Sequence, residues 1–310
     1  MQTPDALVLG GGGILGEAWM SALLAGLEQA GELDARDCAC YVGTSAGSIV
    51  AASLAAGLAP GARLGSLPRP TATAPGNEEE QQAGLWQAFE AATGVAGAVA
   101  APLASLMAAS TAPGGAILRR ALLRRVPEGR RSLAELGRQV ELAGVDWDGR
   151  LRIVAVDRES GRRVVFGAPG APEVSVATAV QASCAIPGVF RAPSADGRTY
   201  VDGGVWSPTN IDAADVGKRG QVVCLNPTGS LRPGRGTLAG AIGPLSRGIA
   251  STEALVLKNR GALVTTINPD RASAAAMGVN LMDARRRRAV IDAGVAQGHR
   301  LGARVERQAA

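Results

Sequence analysis

Short apolar runs that end in glycine-containing turns dominate the first 57 residues of the chain. The runs Ala6–Leu9 and Cys38–Val42 have the length of buried strands, and each leads directly into such a turn. Apolar residues at helical spacing follow the first turn as far as Gly31, and an alanine-rich helix is predicted at Ser48–Ala56 after the second. This repeated order of strand, turn and helix predicts an α/β fold with a central, largely parallel sheet between helices.

A second region with clear periodicity begins near residue 151. Strands are predicted at Leu151–Val156, Arg163–Phe166, Thr199–Val201, Val222–Leu225 and Leu263–Ile267. One helix is predicted at Ala177–Ala185, closed by Pro187, and a charged terminal helix at Ala284–Arg307. We therefore expect one domain over residues 1–310, with a charged C-terminal helix in 284–310.

The stretch between these regions, 58–150, differs in character. Prolines and the acidic run Glu78–Glu80 predict a loop over Pro60–Gln82. Gly84–Leu142 is alanine-rich and is predicted to be helical in pieces, and its apolar stretch Gly94–Met107 is too short to cross a bilayer. We interpret 58–150 as a helical cap or insert, which is either a fixed packed layer or a mobile lid.

Composition and charge narrow the function classes. The 310 residues are 46% hydrophobic, which is enough for a sizeable core, and the net charge of +5 is too mild for a nucleic-acid-binding surface. Arginines cluster at Arg119–Arg131 and at Arg285–Arg288, as solvated helix faces or as contacts to anionic lipid head groups. Because no signal peptide or membrane span is visible, we expect a cytoplasmic protein, with peripheral membrane contact left open.

The segment Gly43-Thr44-Ser45-Ala46-Gly47 lies between a predicted strand and a predicted helix. It has the form of a nucleophile elbow, in which a tight turn forces unusual dihedral angles on the serine and the flanking glycines let the backbone pass close to itself. The serine hydroxyl would then lie at a helix N-terminus, where the helix dipole favours developing negative charge.

A glycine-rich loop, Gly11–Gly16, follows the first predicted strand and reads Gly-Gly-Gly-Ile-Leu-Gly. Consecutive glycines leave backbone N–H groups accessible, which suits either an oxyanion hole or a phosphate cradle. The same string matches the dinucleotide pattern G-x-G-x-x-G, which leaves a nucleotide-binding protein as an alternative. That pattern requires an acidic residue after the second strand, whereas this strand leads into Gly-Thr-Ser.

The third motif, Asp202-Gly203-Gly204, follows a predicted strand. By itself it favours a turn, since Asp-Gly is a common turn dipeptide. The order Ser45, Asp202, His299 would also suit a serine–aspartate–histidine triad. However, His299 is the only histidine, and it lies in the charged terminal helix without a loop around it.

Taken together, these motifs resemble the patatin-like phospholipase family. The glycine-rich loop, the Gly-Thr-Ser-Ala-Gly turn and the Asp-Gly-Gly motif occur in the order and rough spacing of that family. The segments Ala182–Phe190 and Tyr200–Val205 also resemble the family's sequence around its catalytic aspartate. The resemblance covers residues 6–57 and about 151–227, and it implies a three-layer sandwich of patatin type.

The resemblance assigns roles to particular residues. Ser45 is similar to the nucleophile of the family, and Asp202 to its partner in a Ser–Asp dyad. The oxyanion hole is implied at the backbone amides of Gly11, Gly12 and Gly13. One position departs from the family pattern, since Leu15 stands where many members carry arginine or lysine beside the anion site.

The implied function is that of a serine acyl hydrolase that cleaves lipid-like carboxylic esters, of phospholipase A type, without a metal or an organic cofactor. A carboxylesterase or thioesterase that acts on soluble acyl substrates would use the same dyad, and a catalytically silent lipid-binding protein would keep the fold. Four cysteines lack a zinc-binding spacing and are expected as buried free thiols, at positions Cys38, Cys40, Cys184 and Cys224.

Overall fold

A mostly parallel sheet forms the centre of the fold in a computed structural model, which describes residues 3–31, 33–64, 115–231 and 242–309, without the side chains of 242 and 304–309. Its eight strands are β1 Ala6–Leu9, β2 Cys40–Thr44, β3 Leu151–Asp157, β4 Arg163–Phe166, β5 Ser194–Ala195, β6 Arg198–Asp202, β7 Gln221–Leu225 and β8 Leu263–Ile267. The described helices are α1 Gly13–Gln29, α2 Ala46–Ala55, α3 Gly115–Arg125, α4 Ala134–Leu142, α5 Val176–Cys184, α6 Ile242–Asn259, α7 Arg271–Met277 and α8 Arg287–Ala309.

Each strand in the series β5-β6-β3-β2-β1-β7-β8 is hydrogen-bonded to the next, and β4 also pairs with β3. Strands β3, β2, β1, β7 and β8 are parallel, whereas β4 and β6 run antiparallel to β3. The predicted α/β fold with a largely parallel central sheet is confirmed. Every predicted strand is present, with ends that differ from the prediction by at most two residues.

The register of β3 brings two chain segments together. Strand β2 pairs with the first four residues of β3, and β6 pairs with the last three residues of β3. Strand β4 pairs with the opposite edge of β3. Strands β2 and β6 therefore lie in line on one edge of β3 and end against each other. Thr44 at the end of β2 is opposite Val154, and Asp202 at the end of β6 is opposite the next residue, Ala155.

Helices cover both faces of the sheet. On β1, Leu7 and Leu9 belong to a core shared with α1, α2, α5 and α8, while Ala6 and Val8 belong to a second core beneath α6. Alternate residues of a strand point to opposite faces, so this division gives three layers. The indole N–H of Trp19 in α1 donates to the side-chain oxygen of Gln297 at 2.9 Å, which holds α8 against α1.

Several details add to the predictions or correct them. Helix α1 begins at Gly13, inside the glycine-rich loop rather than after it, and helices α6 and α7 were not predicted. All four cysteines are free and buried, as expected. Helices α3 and α4 lie in the predicted insert, but residues 65–114, with the acidic run and Gly94–Met107, lie outside the described residues. None of the helices that the structure describes is long and apolar enough to cross a membrane.

Candidate active site

Ser45 occupies a strained turn between β2 and α2. Its φ of 51° lies in the left-handed region that residues other than glycine seldom adopt. A side chain at Gly43 would run into the backbone of Ser48, and one at Gly47 would overlap the carbonyl oxygen of Leu9. Both flanking positions thus require glycine because the backbone passes so close to itself and to β1, which is the geometry of a nucleophile elbow.

Asp202 lies beside Ser45 and is almost completely buried. The Ser45 hydroxyl donates to Oδ2 of Asp202 at 2.7 Å, and the Gly204 N–H donates to Oδ1 at 2.7 Å. Burial raises the pKa of Asp202 to about 6, and the hydrogen bonds from Ser45 and Gly204 offset part of that rise. Because Ser45 itself is half-buried, the pair remains reachable from one side.

The backbone of Ser45 is held by two further serines. The Ser45 N–H donates to the Ser183 hydroxyl at 2.8 Å, and that hydroxyl donates to the Val154 carbonyl at 2.6 Å. The Ser48 hydroxyl donates to the Ser45 carbonyl at 2.6 Å. The sequence patterns assign no role to Ser183 or Ser48, although Ser183 lies in the segment Ala182–Phe190 that resembles the family.

The glycine-rich loop runs directly past the candidate nucleophile, since a Cβ at Gly11 would lie 3.5 Å from Cβ of Ser45. The Gly11 amide, however, donates to the Pro208 carbonyl at 2.8 Å. Within the described part of the chain, the amides of Gly12 and Gly13 make no hydrogen bond. Of the three amides that the resemblance implies for an oxyanion hole, those of Gly12 and Gly13 are therefore the two that have no hydrogen-bond partner among the described residues.

Two of these glycines are required by their surroundings. A Cβ at Gly12 would lie 2.6 Å from Cβ of Pro227, which follows β7. Gly13 has a φ of 58°, where other residues are strained. Leu15, at the position where many family members carry a basic residue, is fully buried in the core, and its N–H donates to the Leu281 carbonyl. That position therefore presents no charge to the loop.

His299 lies far from this pair of residues. Its ring is exposed, with Nε2 at 2.9 Å from the side-chain oxygen of Gln29, which is the last residue of α1. The glycine-rich loop lies at the other end of α1, and a helix of 17 residues is ~25 Å long. The structure therefore does not bring His299 to Ser45 and Asp202, and the triad alternative is wrong.

The two arginine clusters are not uniform surface patches. Arg119 is fully buried, and its guanidinium lies 4.3 Å from the ring centroid of Trp206. Arg287 is also buried and forms an ion pair with Glu17 at 2.9 Å. Neither side chain lies on a solvated helix face or is available to anionic lipid head groups, which were the two interpretations made from sequence. The side chain of Arg285, by contrast, is largely exposed.

A serine on a strained turn after a parallel strand, bonded to a buried aspartate beside a glycine-rich loop, places this protein among α/β proteins with a serine–carboxylate site. The model of the patatin-like phospholipase family matches residues 7–215, about two thirds of the chain. The chain belongs to this family, whose members are in general lipid acyl hydrolases. The match ends before β7, so Pro227, which packs on Gly12, lies beyond it.

No curated protein matches the chain. Among solved structures, the chain is similar to VipD from Legionella pneumophila, with 17% sequence identity and a TM-score of 0.40, over 97% of this chain and 67% of that one. The family assignment therefore rests on the family model.

Proposed function

We propose that the protein is a serine acyl hydrolase that cleaves lipid-like carboxylic esters, with Ser45 as the nucleophile and Asp202 as the general base. The observation that carries the proposal is the 2.7 Å hydrogen bond from the Ser45 hydroxyl to Asp202. A general base must lie within hydrogen-bond reach of the proton that it removes. The raised pKa of Asp202, about 6, makes it a stronger base than an ordinary aspartate while it stays ionised at neutral pH.

The reaction then proceeds in two acyl-transfer steps. As Ser45 Oγ attacks the ester carbonyl, Asp202 takes its proton and returns it to the departing alcohol. In the second step, Asp202 removes a proton from water, which attacks the acyl-serine and releases the carboxylic acid. Asp202 returns the proton to Ser45, so the enzyme is regenerated.

The oxyanion that forms in each step needs hydrogen-bond donors. We assign this role to the backbone amides of Gly12 and Gly13, because the Gly11 amide already donates to Pro208. The N-terminus of α2 adds a favourable dipole beside Ser45. Gly11 keeps a different role: its lack of a side chain lets the loop pass next to Ser45.

We also propose that residues 1–310 form one domain and that the α3 part of the insert is a fixed layer. Trp19 and Gln297 tie the last helix to the first, which supports the single domain. Arg119 of α3 is buried over Trp206, in the segment that follows Asp202, which supports the fixed layer. Removing a guanidinium from water is costly, so Arg119 stays buried only because contacts such as the one with Trp206 compensate for the lost hydration.

The buried Leu15 favours a second candidate, a carboxylesterase or thioesterase that acts on soluble acyl substrates. A phospholipase would gain from a cation beside the oxyanion loop, and this position supplies none. Peripheral contact with a membrane belongs to the first candidate and not to the second. The two candidates share the same dyad and differ in the substrate.

A substrate panel separates these candidates. Wild type, Ser45→Ala and the exposed control Ser251→Ala would be tested in parallel on p-nitrophenyl esters of increasing chain length and on phospholipid vesicles. We expect wild type and Ser251→Ala to hydrolyse long-chain esters or phospholipids, and Ser45→Ala to hydrolyse neither. Preference for short soluble esters would select the esterase, and activity in Ser45→Ala would contradict both candidates.

A further inference from the structure

The loop that follows Asp202 contacts the other two parts of the candidate site. This loop, residues 203–213, begins next to the carboxylate. Its Pro208 carbonyl accepts the amide of Gly11 at 2.8 Å. Its Asn210 side chain donates through Nδ2 to the Thr44 hydroxyl at 3.0 Å. One short segment therefore connects the aspartate, the glycine-rich loop and the residue that precedes Ser45.

Asn210 is held in one orientation at the centre of this loop. It is fully buried, and its φ of 54° and ψ of 41° are left-handed values that asparagine tolerates better than most residues. Nδ2 also donates to the Ser207 carbonyl at 2.8 Å, while Oδ1 accepts from Arg163 at 3.2 Å. A flipped amide would place its NH2 group against the Arg163 donor, so the partners fix which atom reaches Thr44.

Residues on both sides of Asn210 are anchored to the rest of the fold. The buried carboxylate of Glu253 in α6 accepts the Thr209 hydroxyl at 2.7 Å and the Ile211 N–H at 2.9 Å. Arg163 forms two hydrogen bonds with Asp212, at 2.6 and 2.8 Å. The amide that reaches Thr44 is therefore presented from a rigid support.

We infer that Asn210 is a positioning residue for the proposed dyad. It fixes Thr44, and through Thr44 the strained Ser45, at a set distance from Asp202. A residue with a positive φ keeps that conformation only where its surroundings hold it, and Thr44 is its immediate neighbour. The inference rests on the proposed roles of Ser45 and Asp202.

The test removes each partner of the hydrogen bond without changing the backbone. Thr44→Val keeps the side-chain shape but loses the hydroxyl, and Asn210→Gly loses the amide but accepts the left-handed conformation. Thr44→Ser is the matched control, because it keeps the hydroxyl. Each variant and the double variant would be measured for kcat and KM on a soluble short-chain ester, for the rate of inactivation by a serine-reactive phosphonate, and for melting temperature.

We expect Thr44→Val and Asn210→Gly each to lower kcat and the phosphonate rate by about tenfold or more, because a small misplacement of a reacting group is costly. KM should stay within about twofold in both variants, and Thr44→Ser should restore most of kcat. The double variant should be no worse than the worse single variant, because both changes break the same bond.

Unchanged kcat in a folded Thr44→Val or Asn210→Gly protein would overturn the inference, even if the melting temperature fell, because the bond would then be only structural. Additive losses in the double variant would also overturn it. If only one of the two single variants folds, its kcat and its rate of phosphonate inactivation decide whether the inference holds. A Ser45→Ala variant in the same assay separates the two claims: if it is inactive while Thr44→Val is fully active, the proposed function stands and only the role of Asn210 fails.

Discussion

Ser45 and Asp202 meet where two strands that run in opposite directions end against each other along one edge of β3. Thr44, the last residue of β2, is opposite Val154, and Asp202, the last residue of β6, is opposite Ala155. The hydrogen bond of 2.7 Å between the two side chains is thus a consequence of sheet register rather than of a flexible loop. Sites built on rigid elements keep reacting groups at a fixed distance, and the proposed chemistry depends on this.

The pH dependence of activity should follow the ionisation of Asp202. Only the ionised carboxylate can accept the Ser45 proton, and burial raises its pKa to about 6. We expect kcat/KM for a soluble ester to fall about tenfold per pH unit below pH ~6 and to be level just above it. A pH profile from 4 to 9 on a stable folded sample measures this. An acid limb near pH 4, the ordinary range of aspartate, would contradict the role of burial.

The same carboxylate should reduce the stability of the fold at neutral pH. Its pKa is higher in the folded protein, about 6, than the 3.8 of a free aspartate, so the folded state disfavours the ionised form. The resulting loss of free energy of unfolding is absent below pH ~4, grows as the pH rises, and reaches its full size above pH ~6. Asp202→Asn should therefore raise the free energy of unfolding by about 2–3 kcal/mol at pH 8.

Urea denaturation of wild type and Asp202→Asn at pH 8 and at pH 4 measures this difference. Asparagine keeps an oxygen for the Gly204 amide, so the comparison mainly removes the charge. If Asp202→Asn raised the free energy of unfolding by the same amount at both pH values, the ionised charge would not be the cause of the lower stability of wild type. A loss at pH 8 would show that the folded state stabilises the ionised carboxylate.

Histidine should have no part in the reaction. His299→Ala should keep kcat within about twofold of wild type, whereas Asp202→Asn should lower kcat by a factor on the order of 10³ or more. The physical reason is distance, because His299 contacts Gln29 at the far end of α1. Steady-state kinetics on one soluble ester compare the two variants. A large loss in His299→Ala would restore the triad that the structure rejects.

The glycine-rich loop should tolerate little change at Gly12. In Gly12→Ala, the new Cβ would lie 2.6 Å from Pro227, so the loop must shift. We expect kcat to fall by roughly 10²-fold, the usual cost of losing an oxyanion donor. Gly217→Ala is the matched control, since nothing lies within 4 Å of its added Cβ. Equal kinetics in the two variants would argue against an oxyanion hole at this loop.

Sequence patterns predicted the strands well because the signal is local. The parallel strands are short apolar runs beside glycines or turns, and this describes β1 and β2 as well as β7. Helix α6 was missed because glycine and proline near its N-terminus, Gly243 and Pro244, interrupt the usual helical signal. The glycine-rich loop was recognised as a donor site, but only the structure shows that Pro208 occupies one of its three amides.

The supporting residues of the site could not be predicted from local patterns. Ser183 contacts Ser45 across 138 positions of sequence, and Asn210 contacts Thr44 across 166. Arg287, read from sequence as part of a charged cluster, is buried because Glu17, 270 positions away, neutralises it. Each role depends on which segments the sheet order brings together, and no short motif encodes that order.

Covalent labelling at Ser45 tests the central claim most directly. A serine-reactive phosphonate would be added to wild type, Ser45→Ala and Asp202→Asn, and each protein would be analysed by intact mass and peptide mapping. We predict one adduct on wild type, located at Ser45, none on Ser45→Ala, and an adduct that forms at least about 100-fold more slowly on Asp202→Asn. An adduct at another serine, or equal labelling of Ser45→Ala, would contradict the account.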